Sequence, residues 1–81
     1  MKKDSISQKI QSIFLDTFSD LAAKDFSFDT VQADFANWDS FAHMELVSKI
    51  EQEFGITLEF SDIAEIDTPR KFVEAVEKKN A

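Results

Sequence analysis

The sequence predicts an all-α fold, a small four-helix bundle of three longer helices and one short helix. Apolar side chains recur at steps of three and four residues in several segments, which is the spacing of one helix face. The chain of 81 residues contains one Gly and one Pro, fewer turn residues than a meander of short strands needs. Its apolar content of 43%, with nine phenylalanines, suffices for one core, so we expect residues 1–81 to form a single domain.

The first predicted helix lies in the N-terminal part of the chain. Ser5 and Gln8 fit a capping box, in which the serine hydroxyl accepts from the Gln8 amide and the Gln8 side chain reaches back. The apolar stripe that follows fades after Ala23, and it consists of Ile6, Ile10, Ile13, Phe14, Phe18 and Leu21.

Residues 24–38 show no sustained period, although four of their side chains are apolar. A loop of this length with several aromatic rings is expected to lie across the bundle and to pack inward. The apolar side chains concerned are Phe26, Phe28, Val31 and Phe35.

The second helix is predicted to begin near Asp39 or Ser40. It should end at Gly55, because glycine readily adopts the left-handed conformation that closes many helices. Its apolar face is predicted to consist of Phe41, Met44, Val47, Ile50 and Phe54, with Leu46 beside them.

A connector and a short turn are predicted before the last helix. Residues 56–60 alternate like a strand, but the chain offers no partner strand, so we interpret them as an extended connector. Ser61 is predicted to cap the short turn, which runs through Ile63 and Ile66.

Thr68 and Pro69 are predicted to open the last helix, with the threonine as N-cap and the proline at the first helical position. Phe72, Val73 and Val76 should face the core. The helix should end with Lys78 and Lys79, where cations interact favourably with the helix dipole.

The net charge of −7 is concentrated in the middle of the chain. Between Asp25 and Pro69, eleven acidic residues accompany a single basic residue, Lys49. A field of this sign repels phosphate backbones and anionic lipids, so we expect neither nucleic acid nor a membrane as a partner. It attracts proteins with basic patches. Acidity that serves only solubility is the alternative.

The residue types exclude most enzyme sites. The chain has no cysteine, and its only histidine is His43, so histidine-based triads and thiolate or histidine-rich metal sites lack their residues. We interpret His43 as a surface or rim residue, and we expect no catalytic or metal site. The sequence shows no signal peptide after Lys3 and no apolar run of membrane-spanning length. A cytoplasmic protein is therefore expected.

One constellation remains, where the long loop becomes the second helix. Asn37, Trp38 and Asp39 lead into Ser40 and Phe41. Amide donors at a helix N-terminus are unpaired and the helix dipole is positive there, so a phosphate ester on the Ser40 hydroxyl would be well accommodated. From these residues alone, an ordinary N-cap at Ser40 or Asp39 is the favoured interpretation.

The wider sequence extends this constellation. Asp39-Ser40-Phe41 is followed by Glu-Leu-Val at 45–47, by an acidic stretch with Phe and Gly at 50–56, and by a second acidic segment at 62–69. From about Asp34 to Val76 this pattern resembles the acyl carrier protein family, in which an Asp-Ser-Leu-type motif opens such a helix. The chain departs from that pattern in three places. Phe41 replaces the commoner leucine, Ala42 stands where an acid or glycine is frequent, and Trp38 is more typical of specialised, pathway-dedicated carriers.

The resemblance implies a carrier with an acyl carrier protein-like bundle, not an enzyme. A phosphopantetheinyl transferase would attach 4′-phosphopantetheine covalently to Ser40, next to Asp39, and the arm would hold acyl groups as thioesters. The other implied partners are acyl-activating, synthase or acyltransferase enzymes of fatty acid or polyketide biosynthesis, with basic docking patches. The carrier is expected to be a monomer, and its implied contacts are apolar at Phe41 and Met44 and acidic at Glu45 and Glu51.

Two alternatives to an acyl carrier stay open at this stage. A stand-alone peptidyl or aminoacyl carrier shares the serine and the fold, although such carriers are usually less acidic around the second helix. An acidic helical adaptor that never receives a prosthetic group would share the charge and the bundle. The intact mass after exposure to a transferase separates the adaptor from both carriers.

Overall fold

The computed structural model describes residues 3–80. Met1 and Lys2, on which the signal-peptide prediction partly depends, lie outside it. Within this range the all-α prediction is confirmed, because every regular element is helical. None of these helices is long and apolar enough to cross a membrane. The four α-helices are α1 (Lys3–Thr17), α2 (Ser40–Phe54), α3 (Phe60–Glu65) and α4 (Pro69–Asn80).

The ends of α1 differ from the prediction. The helix already includes Lys3, so Ser5 lies inside it and the predicted capping box is wrong, since an N-cap residue has a non-helical backbone. At the other end α1 stops at Thr17, before the apolar stripe does. Phe18 and Leu21 continue the stripe in a turn, in which the Leu21 N–H donates to the Phe18 carbonyl at 2.9 Å.

The loop between α1 and α2 packs aromatic rings against the core, as predicted. It contains two single-turn 3-10 helices, Ala23–Asp25 and Gln32–Asp34. Its inward rings are partly buried, and they belong to Phe26, Phe28 and Phe35. Val31 is the exception: it is 42% exposed and lines a surface groove.

The ring of Phe14 on α1 forms the centre of the core. It is fully buried, and its centroid lies 5.2–5.9 Å from the centroids of five other rings. Aromatic pairs at such separations stabilise a core beyond their apolar area. The five rings come from the turn after α1, the loop and α4: Phe18, Phe26, Phe35, Trp38 and Phe72.

The bounds of α2 confirm the prediction, but its apolar face is turned differently. Gly55 closes the helix with a φ of 64°. The buried residues are Ala42, Leu46, Val47 and Ile50. Phe41 and Met44 were wrongly placed on this face, because they are 80% and 53% exposed. The small Ala42 side chain continues the inner stripe toward the helix start, and this orientation turns its larger neighbours outward.

Residues 56–59 of the predicted connector form neither helix nor strand, and Glu59 has an extended backbone, but α3 begins two residues earlier than a cap at Ser61 implies. Phe60 is the first residue of α3 and Glu59 is its N-cap, so Ser61 lies inside the helix and the predicted cap is wrong. The Glu59 side chain makes no capping hydrogen bond. Ile66, just after α3, is buried and anchors the segment to the core.

The prediction for α4 is confirmed. Pro69 is its first residue, and the Thr68 hydroxyl accepts a hydrogen bond from the Lys71 N–H at 3.2 Å. The helix packs against α1. It carries Lys78 and Lys79 in its last turn and buries Phe72, Val73 and Val76.

Candidate functional site

Ser40 is the first residue of α2 and is exposed. Asp39, and not Ser40, is the N-cap: its Oδ1 accepts a hydrogen bond from the Ala42 N–H at 2.8 Å. The Asp39 carbonyl accepts from the His43 N–H at 2.9 Å, which starts the helical ladder. The structure thus divides the two roles that the local sequence left open. Asp39 caps the helix, and Ser40 presents its hydroxyl on the surface.

The start of α2 fits a phosphate ester on that hydroxyl. The first amides of a helix have no carbonyl one turn earlier to bond with, and the helix dipole places partial positive charge there. A phosphate on the Ser40 oxygen would therefore meet the first-turn amides that Asp39 does not bond, in a favourable field. Because Ser40 is exposed, a group can be attached to it without moving a core residue.

Three residues after Ser40 on α2, the His43 side chain is joined to that of Trp38 by a hydrogen bond. The Trp38 indole N–H donates to His43 Nδ1 at 3.0 Å. His43 Nε2 lies 2.9 Å from the Ile63 carbonyl oxygen on α3. His43 is half-buried, so it is a rim residue as predicted, but its bonding through both ring nitrogens was missed. The available signal was Trp38, because a buried tryptophan N–H usually needs an acceptor.

Glu45, one of the predicted partner contacts, forms an ion pair within the protein. Its carboxylate lies 3.2 Å from Lys49 Nζ, which also lies 3.1 Å from a carboxylate oxygen of Asp16 and 3.0 Å from the Thr17 hydroxyl. Desolvation lowers the pKa of Lys49, but hydrogen bonds to Asp16 and Glu45 outweigh it and raise the pKa above its ordinary value. The only cation of the acidic middle segment therefore stays charged and joins α2 to the end of α1.

Glu51, the other predicted acidic contact, holds the connector after α2. Its Oε2 accepts a hydrogen bond from the Leu58 N–H at 2.8 Å, and Leu58 is buried. Its backbone carbonyl accepts from the Ile56 N–H at 3.2 Å. The Glu51 carboxylate thus stabilises the connector and also contributes to the charged surface.

The predicted site residues divide into two groups along α2. Phe41, Met44 and Glu45 lie within the first two turns, close to Ser40, whereas Glu51 belongs to the last turn. Sequence reasoning missed Phe60, which is 83% exposed at the start of α3. A surface groove next to Ser40 is lined by residues of the long loop together with Trp38, Asp39 and Asp67.

Comparison with known proteins identifies a family. A family model described as "Phosphopantetheine attachment site" matches residues 8–76 of the chain. An acyl carrier protein from Petrotoga mobilis is 29% identical over 79 residues, which cover 98% of this chain and 92% of that protein. The matched region contains the whole segment from the Asp39 cap through α3.

Proposed function

The chain belongs to the phosphopantetheine attachment-site family, and on this premise we propose that it is an acyl carrier protein with the prosthetic group on Ser40. Membership of the family makes the chain a carrier and not an enzyme, with 4′-phosphopantetheine as its prosthetic group. One observation carries the assignment of the residue. The Ser40 hydroxyl is exposed at the N-terminus of α2, while Asp39 takes over the capping role.

The attachment reaction balances with coenzyme A as the donor. Ser40 Oγ forms an ester bond to the phosphorus that carries the pantetheine, and the bond from that phosphorus to adenosine 3′,5′-bisphosphate breaks. The hydroxyl proton passes to a base that the transferase supplies. Asp39 keeps the helix start in place, and the free amides of the first turn stabilise the phosphate charge. When bound, the arm supplies a thiol that holds an acyl group as a thioester.

Partner enzymes are proposed to dock along α2, with their apolar contacts at its start. Phe41 and Met44 offer exposed apolar side chains beside Ser40, and Glu45 and Glu51 offer negative charge to basic patches. These partners are the transferase and the acyl-activating, synthase or acyltransferase enzymes of a fatty acid or polyketide pathway. We place this exchange in the cytoplasm.

The attachment residue is tested by intact mass. Incubation with coenzyme A and a broad-specificity transferase should add one phosphopantetheine to the wild-type protein and none to Ser40→Ala. Ser48→Ala is the matched control, because Ser48 is also exposed on α2, and it should be modified like the wild type. Modification of Ser40→Ala, or no modification of the wild type by several transferases, would refute the proposal.

The cargo class is tested by loading the modified protein. An acyl-activating enzyme should load the thiol faster than an amino-acid-activating enzyme does. The reverse order would identify an aminoacyl carrier, and a wild type that is never modified would behave as an acidic adaptor.

The docking proposal is tested by charge reversal. Glu45→Lys should slow association with a partner enzyme more than it speeds dissociation, and raising the salt concentration should weaken binding. Glu74→Lys makes the same charge change at an exposed position of α4 and should have a smaller effect. Glu51→Lys is a poorer test, because it also removes the bond to Leu58. Equal effects at Glu45 and Glu74 would contradict docking at α2.

A further inference from the structure

We propose that His43 is a specificity-determining residue, which keeps the cargo of the Ser40 arm outside the bundle. This inference rests on the proposed function, since it concerns the group carried on that arm. The His43 ring, one helical turn after Ser40, packs beside Trp38 and Phe72 and is held by two hydrogen bonds. A linear acyl chain would therefore lie on the outer surface and not in the core.

The ring of His43 belongs to an aromatic group that also contains Trp38 and Phe72. His43 follows Ser40 by three positions on α2, so the two side chains are neighbours on the helix surface. The ring centroids of His43 and Trp38 are 5.8 Å apart with an interplanar angle of 25°. The centroid of Phe72, on α4, lies 5.8 Å from that of His43 and 6.3 Å from that of Trp38. Both Trp38 and Phe72 are buried.

Two hydrogen bonds hold the His43 ring in one state. An indole N–H can only donate, so His43 Nδ1, at 3.0 Å from it, is the acceptor. The neutral imidazole then carries its hydrogen on Nε2, which donates to the Ile63 carbonyl at 2.9 Å. Both bonds require this one tautomer. Together they tie the end of the long loop, α2 and α3 to one side chain.

An alkyl chain on the arm exposes apolar surface to water and enters an apolar space if one opens beside it. Entry between α2 and α3 at His43 would displace this side chain from Trp38 and from Ile63. The buried indole N–H and the carbonyl would then lack partners, which opposes entry. The exposed side chains of Phe41 and Met44 offer apolar contact without this loss. The chain would thus be presented to partner enzymes instead of being stored.

The wild-type protein provides the first test. The phosphopantetheine form is loaded with an acetyl or an octanoyl group, and both thioesters are verified by mass. The two forms should have the same thermal midpoint within about 1 °C, because the octanoyl chain gains no buried contact. The NMR signal of the Trp38 indole N–H should also coincide in the two forms. A midpoint several degrees higher for the octanoyl form, or a Trp38 signal that moves with chain length, would overturn the inference.

Two variants then distinguish the effect of the His43 ring volume from the effect of its hydrogen bonds. His43→Ala and His43→Phe both lose the bonds to Trp38 and Ile63, but only the alanine variant leaves a space. The octanoyl group should raise the midpoint of His43→Ala above that of its acetyl form and should leave His43→Phe unchanged. Equal responses of the two variants would refute the role of His43. If His43→Ala does not fold, the comparison of the acetyl and octanoyl forms of the wild type still tests whether the chain stays outside the core.

Failure of this inference is distinguishable from failure of the proposed function. If Ser40 is not the attachment residue, the mass measurement shows this before any acyl form is compared. If the arm is attached and the chain enters the core, the mass is as expected and the midpoint rises.

Discussion

Two phenylalanines on neighbouring helices show how differently this bundle uses the same side chain. Phe14 on α1 is fully buried and contacts rings from the loop and from α4, whereas Phe41 on α2 is 80% exposed beside Ser40. The interior around Phe14 is the part of the molecule that stabilises the fold. The start of α2 keeps apolar side chains in water, which contributes little to stability and suits a surface that contacts partners.

This difference indicates that stability and function are separated in space along α2. Leu46 and Ile50 face the core, while Ser40, Phe41 and Met44 face solvent at the helix start. Changes on the outer side should therefore alter docking without unfolding the protein. The following predictions test that separation, from the largest expected effect on stability to the smallest.

Phe14→Ala should lower the free energy of unfolding by about 3–5 kcal/mol, because it removes a buried ring and leaves a cavity among five others. Phe41→Ala is the matched control, and its effect should stay within about 0.5 kcal/mol. Urea denaturation of both variants measures the difference. Similar losses at the two positions would abolish the contrast between interior and surface.

Glu51→Ala should lower the free energy of unfolding by about 1–3 kcal/mol, because the N–H of the buried Leu58 loses its acceptor. Gln52→Ala is a suitable control, since Gln52 is the exposed neighbour on the same helix. It should be nearly neutral in the same denaturation experiment. A Glu51 variant as stable as the Gln52 variant would mean that this carboxylate serves only the surface.

Asp39→Ala should cost about 0.5–2 kcal/mol, the usual loss when an N-cap acceptor is removed. Asp39→Asn and Asp39→Ser retain a capping oxygen and should restore most of that stability. Chemical denaturation measures all three, and amide exchange in the first turn of α2 shows whether the loss is local. A serine variant no better than alanine would show that the Asp39 charge, and not its hydrogen bond to Ala42, stabilises the helix start.

The smallest effect is expected at the ion pair between Asp29 and Arg70, which are exposed. A hydrogen bond from Arg70 and its positive charge hold the pKa of Asp29 below its ordinary value of 3.8. A carboxyl with a depressed folded-state pKa adds stability above its unfolded value and loses it as the pH falls through the folded value. Asp29→Asn should thus lower the thermal midpoint slightly at neutral pH, and the difference from the wild type should vanish in acid.

Asp34→Asn provides the control for that pH series. Asp34 is an exposed acid of the same loop, and among residues 3–80 it takes part in none of the ion pairs. The thermal midpoint of Asp34→Asn should equal that of the wild type at every pH. A gap between Asp29→Asn and the wild type that persists in strong acid would locate the effect outside the ion pair.

The sequence predicted those parts of the fold that depend on neighbours in the chain. Gly55 ends α2 because of its own backbone freedom, and Thr68 and Pro69 start α4 through contacts within one turn. Ser40 was found in the same way, from the loop-to-helix transition and the motif around it. Its role as attachment residue stays a prediction until the mass is measured.

The features that the sequence did not reveal depend on distant residues. Periodicity placed Phe41 and Met44 on the inner face, but the rotation of α2 is set by what α1 and α4 present to it. The apolar stripe extends to Leu21 although α1 ends at Thr17, because a turn can bury apolar side chains as a helix does. The bonding of His43 requires Ile63, which reaches it only when α3 folds back on α2.

The packing of Phe14 against Phe72 also has a consequence for biosynthesis. Phe14 leaves the ribosome before its partner on α4, which follows the other helices of residues 3–80 in the order of synthesis. The core therefore closes only after α4 has been synthesised, and until then α1 exposes an apolar stripe. Nascent chains stalled before Phe72 emerges should be digested rapidly by proteases, whereas chains released just after α4 should resist. Resistance before α4 emerges would show that α1 and the loop fold without it.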